Sequence, residues 1–177
     1  MENQVTLVQD TVILTPDGST ECRECLAIEV PYTVALNDEE IGTSMVLETG
    51  LEEFGAGFLF GQGYITEPGQ VREVLVCPDG RISVHADVDE TMRPKEVIIT
   101  SGCGGTGKIS REMLEGAFDP LKECVISFPE IRTFIRQALQ ASPLGRDTHC
   151  VHGCGFWSEG KLQAYYENEL RIKKSLT

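Results

Sequence analysis

The sequence predicts a mixed α/β protein in two units, a small α+β unit over residues 1–94 and an α/β unit over residues 95–177. Three observations lead there. A β-branched, partly alternating run, LAIEVPYTVAL, ends in the turn signal NDEE and is answered by IGTSMVL, the pattern of a hairpin. TGLEEFGAGFLF then switches to helical spacing. In the second half, EVIITS leads into a glycine-rich loop and KISREMLEGAF follows it, the order strand, loop, helix.

The elements follow in chain order. In the first helix Leu51, Phe54 and Phe58 share a face, and Thr49 with Glu52 forms a capping-box pattern at its start. Gly55, Gly57 and Gly61 would each weaken an isolated helix by about 1 kcal/mol relative to Ala, so they imply a closely packed neighbouring backbone. VREVLV and RISVHADV, joined by CPDG, predict a second hairpin. TMRPKE, polar and carrying Pro94, reads as the linker between the units. KISREMLEGAF places Ile109, Met113 and Phe118 roughly in line as a helix. PEIRTFIRQALQ is a clearer amphipathic helix, with Ile131, Phe134, Ile135, Ala138 and Leu139 on one face and Pro129 in its first turn. SPLGRD breaks it. THCVHGCGFW and KLQAYYE then give two strands around the turn SEG.

Composition bounds the function. The 177 residues carry 41% apolar and 24% charged side chains, normal for a soluble globular protein. A net charge of −13 argues against a general nucleic-acid or anionic-membrane binder, which needs a basic face. There is no basic-then-apolar N-terminal signal and no apolar run of about 18 residues, so a cytoplasmic protein is expected. Seven cysteines, an odd number without an export signal, do not make a disulfide framework.

The loop TSGCGGTGKIS comes one residue from a Walker A phosphate loop. Gly102, Gly107 and Lys108 fit G-x-x-x-x-G-K, but Ile109 stands where a Mg²⁺-binding hydroxyl is required. No strand ending in Asp offers the second Mg²⁺ ligand, so nucleotide hydrolysis is not supported. A thiol reading fits better. At a strand-to-helix turn Cys103 would lie among exposed N–H groups near the positive end of a helix, and Lys108 would add charge; all favour thiolate. Gly102, Gly104, Gly105 and Gly107 remove bulk around the sulfur. The bland alternative is a structural glycine turn with Cys103 as a small packed residue.

These residues resemble the formate dehydrogenase accessory sulfurtransferases, the FdhD/NarQ family. TGLEEFGAGFLFGQGYI is similar to the family's T-x-x-E-E-L-A-x-G-F-L-x-x-E-G-I-I segment, TSGCGGTGK to its T-S-x-C-G-x-C-G-K loop, and THCVHGCGFWSEGKLQAYYE to its T-G-G-x-H segment and following strand. The last match includes Thr148, His152 and Glu167. The resemblance implies a sulfur relay: persulfide sulfur taken from a cysteine desulfurase and passed to the molybdenum cofactor, bis(molybdopterin guanine dinucleotide), for formate dehydrogenase. It implies a cytidine-deaminase-like second unit, a small α+β first unit and a homodimer. Cys103 would carry the sulfur, Gly104, Gly105, Thr106, Gly107 and Lys108 would shape the anion site, and His152 would line the cofactor pocket. The chain departs from the pattern twice. Thr106 stands at the family's second loop cysteine, and after Glu167 the text runs NELRIKKSLT where the family continues D-V-G-R-H-N-A, which predicts a shortened second unit. A remnant that binds cofactor or nucleotide without transferring sulfur is the alternative.

The remaining cysteines and histidines are weaker candidates. Cys150, His152 and Cys154 would share a strand face and could supply three zinc ligands, with His149 on the other side. The deaminase pattern H-x-E…P-C-x-x-C is missing, so deamination is not supported, and no metal ion of the protein's own is expected. Cys22 and Cys25 have zinc or redox spacing but precede a strand. Cys77 and Cys124 read as packing residues, His85 as part of a solvated strand face, and the acidic run Asp38, Glu39 and Glu40 as a solvated turn.

Overall fold

A computed structural model of the chain describes residues 5–89, 97–99, 108–110 and 125–168. It is mixed α/β and mostly strand. The linker segment 91–96 and the expected helical residues 111–118 lie outside the described residues.

Val34, Leu36, Ile82 and Val84 explain the central sheet. Each is fully buried, and each alternates with a more exposed neighbour or meets one across the ladder. They lie on β3 (Glu29–Leu36) and β6 (Arg81–Ala86), which pair in parallel with Val34 opposite Ile82 and Leu36 opposite Val84. Each central strand has a hairpin partner, β4 (Glu39–Leu47) for β3 and β5 (Val71–Cys77) for β6, so the four-stranded order is β4-β3-β6-β5. Both expected hairpins are present. Between β3 and β4, Asn37 and Asp38 both take positive φ, 46° and 71°, the turn whose twist matches a two-residue hairpin. Asn37 also docks on β6: its Nδ2 donates to the Ala86 carbonyl at 2.9 Å and its Oδ1 accepts the Ala86 N–H at 3.0 Å.

Helix α1 (Leu51–Gly61) lies against this sheet, with Leu51, Phe54 and Leu59 in the core. Gly61 has open space around it, and the close neighbour that the glycines implied is met at Gly55, as a side chain and not a backbone. A Cβ there would come within 2.5 Å of Ile82 Cγ2, so only a glycine allows the helix to sit this close. The expected capping box does not form. Gly50 is the N-cap, in the left-handed region at φ 59°, and no side chain caps the helix. The other end closes through Gly63, at φ 79°: Gly63 N–H donates to Phe60 and Tyr64 N–H to Leu59, delivering Ile65 into the core. Tyr32 is buried in the same core and donates to Glu48 Oε1 at 2.9 Å. Burial first, and then that hydrogen bond and the Glu48 charge, push its phenol above its ordinary value.

A two-stranded ribbon precedes the sheet, β1 (Thr6–Thr15) with β2 (Gly18–Ala27). It was not legible in the sequence, because both its faces are partly wet and its apolar residues do not alternate cleanly; Val8, Val12, Ile13 and Leu14 are all exposed. Further on, β7 (Val97–Ile99) pairs antiparallel with β8 (Lys108–Ser110).

The last described segment holds α2 (Phe128–Gln140), α3 (Pro143–Thr148), β9 (His152–Ser158) and β10 (Lys161–Asn168). Ser127 and Glu130 cap α2 reciprocally, and the Ser127 hydroxyl and N–H hold the Glu130 carboxyl below its usual range. Glu159 and Gly160 make the tight turn between β9 and β10. Helix α2 meets this hairpin through Phe134, whose ring centroid is 5.4 Å from that of Trp157, and through Gln137. Its expected buried face is only half used. Ile131, Ile135 and Leu139 stay exposed because Phe134 and Gln137, one turn-face round, make the contact. The SPLGRD breaker is itself a helical turn, α3, which packs against β2.

Candidate functional site

The expected site falls on two places, the loop after β7 and the start of β9. Val97, Ile98 and Ile99 are β-branched, and so is Ile109, which favours extended backbone on both sides of the loop. The structure follows that preference: Ile99 stands opposite Lys108 and Ile98 opposite Ile109. Lys108 therefore opens a strand, where the sequence reading placed the first turn of a helix. The helix terminus expected to favour a Cys103 thiolate, and to bind an anion, is not at that position. Cys103, Gly104, Gly105, Thr106 and Gly107 lie outside the described residues.

His152 is exposed and opens β9, with Asn168 opposite it in the ladder. Cys154 is exposed two residues on, while Cys150 is exposed but precedes the strand. His149 ends α3 in the left-handed region at φ 56°, its N–H donating to the Gly145 carbonyl at 3.0 Å. Among the described residues no three His, Cys, Asp or Glu side chains gather to hold a metal ion. Cys22 and Cys25 are half-buried free thiols on β2, opposite Thr11 and Val8. Odd spacing along one strand sends them to opposite faces, so they form neither a shared metal site nor a redox pair. Cys22 instead shares a 3.0 Å contact with the Thr11 hydroxyl. Cys77 is half-buried at the end of β5, and Cys124 lies outside the described residues. His85 is half-buried on the outer side of β6, between the inward Val84 and Ala86. Asp38 and Glu40 are exposed at the β3–β4 turn.

What the sequence did not show is how the segment leading to His152 is held. The Glu167 carboxylate on β10 accepts from the Ser142 hydroxyl, from Leu144 N–H at 3.2 Å and from Gly145 N–H at 3.0 Å. It thereby satisfies the free amides at the start of α3. Ser142 is buried, and its Oγ fills the space that a side chain at Gly145 would need. Thr148, also buried, donates to the Leu144 carbonyl at 2.7 Å and accepts from Cys150 N–H at 3.4 Å. On β9, Gly153 and Gly155 leave room for the rings of Tyr165 and Trp157 to lie across the ribbon. A Ser-Pro pair starting α3 was a readable signal for a cap; its partner, 25 residues downstream at Glu167, was not.

Comparison with known proteins adds the following. Residues 27–168 match the model of the FdhD/NarQ family. A sulfur carrier protein FdhD from Sulfolobus acidocaldarius is 27% identical over 108 residues, which is 59% of this chain and 43% of the relative. One of the same description from Listeria innocua is 31% identical over 88 residues, 48% of this chain and 34% of the relative. A crystal structure from Desulfotalea psychrophila, of a protein described as a formate dehydrogenase accessory protein, superposes with a TM-score of 0.75 at 52% identity. It covers 95% of this chain and 65% of that one. The chain thus spans less than half the length of these two curated relatives. Among the described residues no helix is long and apolar enough to cross a membrane.

Proposed function

The chain belongs to the FdhD/NarQ family, and from that membership we propose that it is a sulfur carrier, a sulfurtransferase serving formate dehydrogenase, with Cys103 as the carrying thiol. The match across residues 27–168, which includes the glycine loop and its cysteine, carries the reading. In chemical terms, the Cys103 thiolate attacks the outer sulfur of a desulfurase persulfide. The S–S bond of that persulfide breaks, the desulfurase cysteine leaves as thiolate, and Cys103 keeps the terminal sulfur. Delivery to the molybdenum cofactor, bis(molybdopterin guanine dinucleotide), bound as substrate, would break the Cys103 S–S bond: an external thiol reductant would attack the Cys103 sulfur, form a disulfide with it and release the outer sulfur as sulfide to the cofactor. Gly104, Gly105, Thr106, Gly107, Lys108 and His152 are the residues we assign to that anionic ligand. Lys108, five residues along the chain, is the cation we assign to that ligand.

The reading extends to a cysteine desulfurase as donor, to a cytoplasmic homodimer, and to a division near residue 94 between an α+β unit and a deaminase-like unit. A non-transferring remnant is the second reading. Thr106 favours it, since a loop with one cysteine has no second thiol to form a transient disulfide with Cys103 as the sulfur leaves.

The test is sulfur loading by a cysteine desulfurase, followed by intact mass. The expected product gains about 32 Da, one sulfur atom, on Cys103. Cys103→Ala should abolish the gain while the far-ultraviolet circular dichroism stays unchanged. Full loading of that variant would refute the assignment, and nucleotide binding without loading of the unsubstituted protein would establish the remnant.

A further inference from the structure

We propose that Glu167 is a positioning residue for His152, closing residues 145–153 into a clamped loop that presents the imidazole to a phosphate-bearing ligand. The inference rests on the preceding assignment of His152 to the cofactor site.

Both ends of the loop are fixed at one residue. At its start, Gly145 N–H donates to Glu167 Oε1 at 3.0 Å, beside the Leu144 N–H on Oε2 and the buried Ser142 hydroxyl. At its end, Gly153 lies opposite Glu167 in the β9–β10 ladder. The turns between are tied as well, by His149 N–H on Gly145, Thr148 on Leu144 and Cys150 N–H on Thr148. His152 sits one residue before the Gly153 anchor. Neighbouring strand residues face opposite ways, so the carboxylate grips the helix side while the imidazole is presented on the other. Stability alone does not need this arrangement. A serine or aspartate next to Pro143 could cap a six-residue helix locally. A long-range carboxylate instead ties the helix start to the strand end, which removes freedom from the histidine-bearing segment before a ligand arrives.

Glu167→Gln tests it, because its one N–H₂ donor must face either the Leu144 N–H or the Gly145 N–H and Ser142 hydroxyl, so at least one of the three bonds is lost and the clamp is loosened while the side chain keeps its size. The probe is guanosine diphosphate, the diphosphate fragment of the dinucleotide, titrated calorimetrically into the full chain. His152→Ala should weaken binding about ten-fold, Glu167→Gln by a similar factor, and the double variant no further. The His152 imidazole resonance should broaden in Glu167→Gln while the Trp157 indole resonance keeps its position, separating a loosened loop from a lost fold. Additive losses, or full affinity in Glu167→Gln with a weakened His152→Ala, would overturn the positioning role. Undiminished affinity in His152→Ala, or no binding by the unsubstituted chain, overturns it together with the His152 assignment. Persulfide loading of Cys103 reports separately: lost loading with intact coupling sinks the carrier reading alone.

Discussion

The side chain of Asn37 hydrogen-bonds the backbone of Ala86 from both its ends, as one strand residue pairs with another. Its Nδ2 donates at 2.9 Å and its Oδ1 accepts at 3.0 Å, while its own N–H donates to Val84 at 3.0 Å. The turn of one hairpin thus extends the central strand of the other. Asn37→Gly keeps the positive φ and deletes only the amide. It should cost about 1–3 kcal/mol, read as a lower urea midpoint at constant slope.

Gly55 gives a second test. Replacing it with Ala would add up to about 1 kcal/mol of helix propensity, yet it drives a methyl into Ile82 Cγ2. Overpacking of a fixed core costs about 1–3 kcal/mol, so the net effect should be destabilising. Ile82→Ala removes that methyl carbon, and the two substitutions together should be less damaging than their separate effects added. Simple additivity in urea denaturation would show that the contact does not bind helix to sheet.

Alkaline stability should depend on Tyr32. Its phenol is raised from 10.0 by burial and by Glu48, so the folded state favours the neutral form. That contribution is complete below pH about 10, and it drains away as the pH climbs through the raised folded value. Tyr32→Phe should flatten the loss of thermal stability above pH about 10. An unchanged slope in that variant would assign the alkaline transition elsewhere.

Trp157 is the chain's single tryptophan and so reports on one contact. Gln137 Oε1 accepts from its indole N–H at 3.1 Å and from Leu162 N–H at 3.1 Å. Gln137→Leu strands both donors and should cost about 1–3 kcal/mol. The emission maximum should shift as α2 loosens from the hairpin. An unmoved spectrum with full stability would mean that the Phe134 ring contact alone holds the helix.

How much of this was legible depends on where each signal resides. The β3–β4 and β5–β6 hairpins, α1 and the β9–β10 turn were readable because turn chemistry and apolar period agree locally. At Lys108 two local signals conflicted. Helical spacing downstream pointed one way and β-branched Ile109 the other, and cross-strand pairing with Ile98 decided it. The α2 stripe misled for a different reason: periodicity shows that a helix has an apolar face, not which part of it meets a neighbour. The capping box at Thr49 failed because Gly50, free to turn left-handed, took the cap position. For the site, Cys103 and His152 were visible as residue types within motifs. The grip of Glu167 on Ser142 was not, since no local pattern encodes a bond across 25 residues.

The antiparallel pairing of Ile99 with Lys108 has a consequence for any exchange of sulfur. Ile99 and Lys108 stand side by side although eight residues of sequence separate them, so on the carrier reading proposed above a sulfur donor and a sulfur acceptor would be met at one common address.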